Sequence, residues 1–360
     1  MSRLDELIAE LCPDGVENRL LESVCNISKG VQFNKSNMQD EGTYPVINGG
    51  INPSGYIEQF NQNENTITIS QGGASAGYVN WLPVKFWAGA HCYILKPSEF
   101  LLNRYLFHFV KSQEYKLQEC QYGAGIPALA KSTLAELSIP VPPLPVQSEI
   151  VRILDNFTEL TAELTAELTA RKKQYEYYRD SLLTFGDEVE WKTLSDVLKI
   201  KNGKDYKQFK SGNIPVYGSG GIMTYIDTFV SDKPTVLIPR KGSVDKLYYV
   251  DVPFWTVDTI FYTEIYTNVV IPKFVFYYLQ KEHLEQYNTA GGVPSLTQTV
   301  LNRIAFPLPP LDEQQRIVDI LDRFDTLCND ISSGLPAEIS ARQKQYEYYR
   351  DKLLTLKELT

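Results

Sequence analysis

ARKKQYEYYRDSLLTF, residues 170–185, returns almost unchanged as ARQKQYEYYRDKLLTL, residues 341–356. The two stretches differ only at positions 172/343, 181/352 and 185/356, which chance does not produce. Outward from there the match continues. IPVPPLPVQSEIVRILDNF (139–157) aligns with FPLPPLDEQQRIVDILDRF (306–324), and GIPALAKSTLAEL (125–137) with GVPSLTQTVLNRI (292–304), both at an offset of 167. Earlier still, Leu21, Val24, Ile27, Gly30 and Phe33 match Leu194, Val197, Ile200, Gly203 and Tyr206. The pairs Phe86-Trp87 and Phe254-Trp255 fall between. The chain is two copies of one module of about 170 residues. Solenoid repeats run to roughly 20–50 residues, so copies of domain size predict an internal pseudo-two-fold object instead.

Each copy reads as an α+β globular domain followed by helix. Short β-like runs at 66–70, 235–239 and 259–263 are broken by Gly, Asn and Pro clusters, with helical stretches at 101–117 and 273–283. Pro140, Pro142, Pro143 and Pro145 then stop the chain, and 147–185 runs without Gly or Pro, long enough for a helix of roughly 58 Å. Stepping 4,3,4,3 through it gives Ile150, Leu154, Phe157, Thr161, Leu164, Leu168, Arg171, Tyr175, Tyr178, Leu182 and Phe185. That is a heptad seam with two polar interruptions. The second copy gives Ile317, Leu321, Phe324, Cys328, Ile331 and Leu335. There Gly334 and Pro336 break the seam. Pro336 and Glu338 fit the first turn of a fresh helix, and the seam resumes at Tyr346, Tyr349, Leu353 and Leu356. The expected architecture is α+β: two globular domains separated by long antiparallel coiled-coil helices. The expected boundaries are 1–140 for the first domain, 141–186 for the helical spacer, 187–307 for the second domain and 308–360 for the C-terminal helical region. Residues 7–24 resemble 180–197, so the N-terminal helix 2–11 reads as the tail of a repeat helix and is expected near 350–360.

Composition narrows the function. The hydrophobic fraction is 43% and the charged fraction 22%, which excludes a largely disordered chain. No run of 18 apolar residues predicts a membrane span, and the acidic start at residues 1–10 is not a signal peptide. Five scattered cysteines, Cys12, Cys25, Cys92, Cys120 and Cys328, form no CxxC pair and read as reduced thiols of a cytoplasmic protein. A net charge of −9 argues against non-specific coating of nucleic acid but leaves room for local basic patches.

Motifs for catalysis are weak. Gly73-Ala74-Ser75-Ala76-Gly77 fits the nucleophile-elbow pattern, yet the residues after it read as strand and turn where that motif needs a helix. Gly123-Ala124-Gly125-Ile126-Pro127-Ala128 imitates a dinucleotide fingerprint without the strand–helix context, and its counterpart reads Ala290-Gly291-Gly292. Glu190-Trp191-Lys192 lacks the partners a nuclease needs, no P-loop is present, and His91, His108 and His283 show no metal-ligand spacing. No catalytic and no metal-binding residue is expected.

Recognition chemistry remains. Phosphate contacts need cations and backbone N–H groups on exposed loops, and base edges take Arg on guanine and Asn or Gln on adenine. Copy one offers Lys29, Gln32, Asn34, Lys35, Asn48 and Gln71 on its polar loops. Copy two offers Lys201, Lys204, Tyr206, Lys207, Lys210, Ser219, Arg240, Lys241 and Lys246. The loops differ between copies while the repeat helices are nearly identical, which points to two different readers on one frame. Tyr177 and Tyr348 lie off the seam and are candidates for a partner-docking surface.

On the joints Pro142-Pro143-Leu144 and Pro309-Pro310-Leu311, the helices after them with Gln147 and Gln314, the twin KQYEYYRD endings and the tandem Thr-Ala-Glu-Leu units at 161–168, the chain resembles the specificity (S) subunit of type I restriction-modification systems. The resemblance covers essentially the whole chain. It implies a DNA-reading subunit with two target-recognition domains for a split duplex site, and helical regions that dock two modification (M) subunits. The M subunits methylate adenine N6 with S-adenosylmethionine, and restriction (R) subunits add ATP- and Mg-dependent cleavage. It implies no cofactor on this chain. Two other readings stand beside it: a non-catalytic dumb-bell scaffold that does not bind DNA, and, more remotely, a serine hydrolase built on Ser75.

Overall fold

The computed structural model describes residues 2–123, 125, 127–288 and 291–359. Two compact units share the chain. The first comprises the residues up to Leu164 together with those from Ile339 on; the second is Thr165–Glu338.

Both units have one topology. The central sheet of the first orders its strands Cys25–Lys29, Cys92–Pro97, Thr66–Ser70, Val79–Leu82, all antiparallel. That of the second orders Leu198–Asn202, Ile260–Ile265, Thr235–Pro239, Tyr248–Val250 in the same way. Thr66–Ser70 and Thr235–Pro239 are buried at every residue. Strands covered on both faces read as continuous apolar or Thr-rich runs without alternation, as these do. A smaller three-stranded sheet follows in each: Tyr44–Ile47 lies between Tyr56–Ile57 and a parallel Trp87–Ala88, and Ser211–Gly218 between Gly221–Ile226 and a parallel Trp255–Thr256. A two-stranded ribbon, Asn18–Leu20 with Ser138–Pro140 or Glu190–Thr193 with Ala305–Leu308, closes each domain.

One helix in each unit packs the globular part onto the repeat helix: Asn103–Ser112 in the first and Pro272–Lys281 in the second. The predicted helix 101–117 is split at Gln113, where Glu114–Glu119 starts a second short helix.

The long helix spans Leu144–Leu182 and begins three residues before the predicted Gln147. Pro145 does not stop it, because a proline in the first helical turn gives up no intrahelical hydrogen bond. At 39 residues the helix is about 58 Å long. Ile150 and Leu154 are buried in the core of the first unit, and Tyr175 in that of the second. Phe157, Thr161, Leu164, Leu168, Arg171 and Leu182 are half-buried. Phe185 lies beyond the helix end and packs on Phe274, with ring centroids 6.3 Å apart.

The matching helix of the second copy, Leu311–Asn329, buries Ile317, Leu321 and Cys328. Tyr178 stacks on Phe324 at 5.5 Å, and Tyr175 reaches both Phe324 and the surroundings of Cys328, contacts that place the two helices antiparallel. Ile331 departs from the expected seam: it is 86% exposed, because the helix ends at Asn329 and Asp330 turns the chain by accepting from Ser332 and Ser333. Helix Leu335–Leu354 then starts afresh with Glu338 in its first turn.

In the first unit Tyr349 stacks on Phe157 at 5.4 Å, and Tyr346, Leu353 and Leu354 join the core. The N-terminal helix Arg3–Leu11 adds Leu4, Leu7 and Ile8 to the same cluster. The segment after it is tied to residues 357–359: Val16 N–H donates to Lys357 O at 2.8 Å, and Leu359 N–H to Val16 O at 3.0 Å.

Candidate nucleic-acid interface

The joint between domain and repeat helix explains the Pro-Pro-Leu motif. Gln147 is fully buried. Its Oε1 accepts from the Leu102 N–H at 2.8 Å, and its Nε2 donates to Phe100 O and Pro142 O at 2.9 and 2.8 Å. Gln314, also fully buried, accepts from Ile271 N–H at 2.8 Å and donates to Val269 O and Pro309 O at 3.2 and 2.8 Å. Leu102 and Ile271 cap the domain helices, so each Gln satisfies a helix-end N–H that burial would otherwise orphan.

Eight residues on, about two turns along the helix, a carboxylate repeats the pattern. Asp155 accepts from Arg104 Nε and His108 Nε2, both at 2.8 Å, and Asp322 accepts from Lys273 Nζ and Tyr277 Oη, both at 2.6 Å. His108, one of the three lone histidines, is thus a buried member of this joint. Burial pushes its pKa down, and the Asp155 carboxylate does not fully restore it. With the ring neutral, Nε2–H donates to Asp155 and Nδ1 accepts from the Tyr346 hydroxyl at 3.1 Å. Burial raises the Asp155 carboxyl, but the His108 and Arg104 hydrogen bonds outweigh it and hold the group below its usual range.

At the opposite end of each central sheet the loops share one backbone frame. Gln71 N–H donates to His91 O and Leu129 N–H to Gln71 O, at 2.9 and 2.7 Å; Arg240 N–H donates to Thr259 O and Leu296 N–H to Arg240 O, at 2.8 and 2.9 Å. Gly73 N–H donates to Pro127 O and Gly242 N–H to Pro294 O, at 2.9 and 3.0 Å. Gly73 and Gly242 both adopt left-handed backbone, φ 81° and 83°, where a side chain would be strained. A second frame lies below. Gly30 and Gly203 pass so close to Ala88 O and Val257 O that a Cβ would sit 2.4 and 2.0 Å away. The Trp87 and Trp255 indoles donate to Val31 O and Lys204 O at 2.8 and 2.9 Å.

The sequence-predicted residues distribute over these frames unequally. In the first unit Lys29 lies 5.7 Å from the Tyr93 ring centroid, and Gln71 follows the neighbouring strand. Gln32, Asn34 and Lys35 are exposed on the loop around Phe33. Gln32 Nε2 donates to Phe33 O at 3.1 Å, and Asn34 Oδ1 accepts from Ser36 N–H at 3.3 Å to cap the turn Lys35–Asn37. Asn48 is half-buried and serves the frame: its Oδ1 accepts from His91 N–H at 3.3 Å and touches Gly89.

In the second unit Ser219, Arg240, Lys241 and Lys246 converge. A Cβ on Gly242 would lie 3.9 Å from Ser219 Oγ, the Tyr248 hydroxyl donates to Ser219 O at 3.3 Å, and Lys246 N–H donates to Ser243 O at 3.2 Å. Lys204, Lys207 and Lys210 form a separate exposed group beside the smaller sheet, and Lys201 pairs with Glu264 at 3.2 Å. Tyr206 packs with Phe209 on the Trp255 cluster, and it is Phe209 that meets Trp255 edge-on at 4.7 Å, as Phe33 meets Trp87 at 5.1 Å.

Sequence reading does not single out Asn202, which is paired in register with Phe261. The offset that aligns Gly30 with Gly203 already sets it opposite Lys29. After Ser75 the chain turns into the strand Val79–Leu82, with no helix following directly. Ala124, Ile126 and Ala290 of the dinucleotide-like segments lie outside the described residues. Glu190 and Lys192 pair with each other at 2.6 Å on the closing ribbon. Among the described residues no His, Cys, Asp and Glu group suited to a metal ion occurs, and no helix is long and apolar enough to cross a membrane. The five cysteines are free thiols, with only Cys120 exposed.

Tyr177 and Tyr348 are 69% and 62% exposed, each edge-on to its neighbour Tyr178 or Tyr349.

Known proteins share this fold and resemble the chain in sequence. The family model described as type I restriction modification DNA specificity domain matches twice, over residues 13–171 and 186–341. A Haemophilus influenzae protein described as a type I restriction enzyme specificity subunit is 32% identical over 94% of this chain and 95% of its own length. The specificity subunit of the type I restriction enzymes EcoR124I/EcoR124II from Escherichia coli is 40% identical over 62% of this chain and 64% of its own. In fold, the chain is similar to the crystal structure of a type I restriction-modification S subunit from M. genitalium, with a TM-score of 0.67, 24% identity, and coverage of 94% of this chain and 96% of that one.

Proposed function

The chain belongs to the type I restriction-modification DNA specificity family, and on that premise we propose that it reads a split duplex DNA site through its two units, one half-site each. The observation that carries this is the pair of loop frames. Identical backbone hydrogen bonds hold Gln71 and Arg240, while the side chains around them differ. A frame repeated for stability alone would have no need of different exposed loops.

The chain docks two modification subunits through its repeat helices, with Tyr177 and Tyr348 as equivalent anchors, and the restriction subunits join that complex. Methyl transfer from S-adenosylmethionine to adenine N6 and ATP- and Mg-dependent cleavage reside on those partners, and this chain contributes no catalytic group. It works in the cytoplasm, where its DNA is.

Charge supports a need for partners. Residues 1–140 hold ten Lys and Arg against fourteen Asp and Glu, and residues 190–307 hold thirteen against eleven. Counterion release by many cations drives strong autonomous binding, and neither domain has that excess. The test is methylome sequencing of a host expressing the chain with its modification subunits. The expected result is methylated adenine in one bipartite sequence. Tight sequence-specific binding by the purified chain alone at physiological salt, or no bipartite methylation, would refute the reading.

A further inference from the structure

Tyr93 and Phe261 are buried at matching places in the two central strands Cys92–Pro97 and Ile260–Ile265. In the first unit Tyr93 pairs in register with Lys29, whose ammonium lies over its ring, and Gln71 follows the strand on the other side. In the second unit Phe261 pairs with Asn202, and the cation over its ring is Arg240, 5.8 Å from the centroid, from the strand on the other side. Each unit therefore sets one cation and one carboxamide about a buried aromatic, and the two have exchanged strands.

Phosphate contacts give no reason for such an exchange, because they need positive charge and carry no sequence information. Base edges do give one. A carboxamide matches adenine N6 and N7, and a guanidinium matches guanine O6 and N7. The backbone at both positions is fixed by the same hydrogen bonds before and after, with a left-handed glycine two residues on. The Arg240 guanidinium lies 5.8 Å from the Phe261 ring centroid, within cation–π reach, a contact that uses none of its N–H donors. Neither the Gln71 nor the Arg240 side chain has a hydrogen-bond or ion-pair partner among the described residues. Asn202, by contrast, is engaged by Gln298 at 3.1 Å.

Resting on the DNA-reading function above, we propose that Gln71 and Arg240 are the equivalent specificity-determining residues of the two units, Gln71 taking adenine and Arg240 guanine in the major groove of its own half-site.

The test is a reciprocal exchange in the full complex with its modification subunits, read by methylome sequencing. Gln71→Arg should replace adenine by guanine at one position of one half-site, and Arg240→Gln should do the converse in the other. Methylation of the original sequence should fall roughly tenfold to a hundredfold, the worth of one bidentate pair. Arg240→Lys, which keeps the charge and the stem over Phe261, should relax that guanine without changing the rest of the consensus, so a poorly folding exchange does not decide the matter. An unchanged consensus with uniformly weaker methylation marks a phosphate contact and overturns the assignment, as does a change in the wrong half-site. A wild-type complex that methylates no split sequence overturns the function proposed above, and this inference with it.

Discussion

Asp155 and Asp322 occupy one place on the two repeat helices and accept from one face of the two domain helices, yet their donors are Arg104 and His108 in the first unit and Lys273 and Tyr277 in the second. Gln71 and Arg240 also occupy one place, and there the substitution alters what the side chain can do. At the joint a change of residue keeps a cation and a second donor on the carboxylate. At the loop it exchanges an amide for a guanidinium. The joint keeps its hydrogen bonds through the change of residues, because its groups are partly buried and an orphaned partner is costly. The loop frame holds its residues through the backbone, so the side chains above it are free to differ.

The comparison can be broken first at the joint glutamines. Gln147→Ala and Gln314→Ala each orphan a helix-cap N–H and two carbonyls, and each should cost about 3 kcal/mol of stability in its own unit. Urea unfolding followed by hydrogen exchange on each domain helix measures this; a cost below about 1 kcal/mol would show that water replaces the side chain.

The exposed tyrosines sharpen it next, since they are alike in both copies where the loops are not. Tyr177→Ala with Tyr348→Ala should weaken association with modification subunits by about 2 kcal/mol or more. The thermal midpoint of the chain should not move. Unchanged stoichiometry on co-purification sinks the docking assignment.

Acid separates the two joints. His108 has a folded pKa below its ordinary 6.5, because it is buried among Asp155, Tyr346, Arg104 and Arg350. Above 6.5 neither state binds the proton and the stability of the first unit is complete. As pH falls below that value the unfolded chain takes up the proton first, and stability drains until the folded pKa is passed. Tyr277 carries no such group at the matching position. Melting between pH 7.5 and 5.5, in steps of about half a unit, should therefore weaken the first unit and spare the second. His108→Gln should remove most of the difference, and an equal loss in both units would disprove the role of His108.

The smallest effect concerns the middle of the long helix. One more Thr-Ala-Glu-Leu unit after Leu168 adds good helix formers, about 6 Å of rise and a net rotation of about 40°. Duplex DNA turns about 34–36° per base pair, so rotation favours one extra base pair in the non-specific spacer of the target. Both half-sites should remain as they were. An unchanged spacer in the methylome, or altered half-site bases, argues against this helix as the ruler.

Much of this was legible in the sequence, for identifiable reasons. The repeat offset aligned the strands, the joints and the tyrosine endings without any contact being known. Most heptad steps fall on less exposed positions of Leu144–Leu182, but Tyr178 on the seam is exposed while Gln147, Glu149 and Arg179 off it are buried, because each helix end is also covered by its own domain. Ile331 was misread because the heptad count runs on through a turn that Asp330, Ser332 and Ser333 close by hydrogen bonding. The helix start was misread because Pro145 lies in the one turn that tolerates it. Site chemistry was less legible. Nothing in the sequence links Asn48 to His91, forty-three residues on, whose N–H holds the Asn48 oxygen. Asn202 gains meaning only when strand register sets it beside Phe261.

The first unit is closed by the last residues of the chain, from Ile339 on, whereas Thr165–Glu338 is continuous. On the ribosome this inverts the order in which the halves mature. Domains fold as their residues emerge. The second unit is complete while the first, begun earlier, still lacks Tyr346, Leu353 and the backbone bonds that tie Lys357 and Leu359 to Val16. A chain arrested at Glu338 carries a finished second unit and an open first one, with Leu4, Leu7 and Ile8 uncovered for chaperones and proteases to find. Closure of the first unit thus waits on residues made after the whole of the second, so the half that begins translation first is the later one to be sealed.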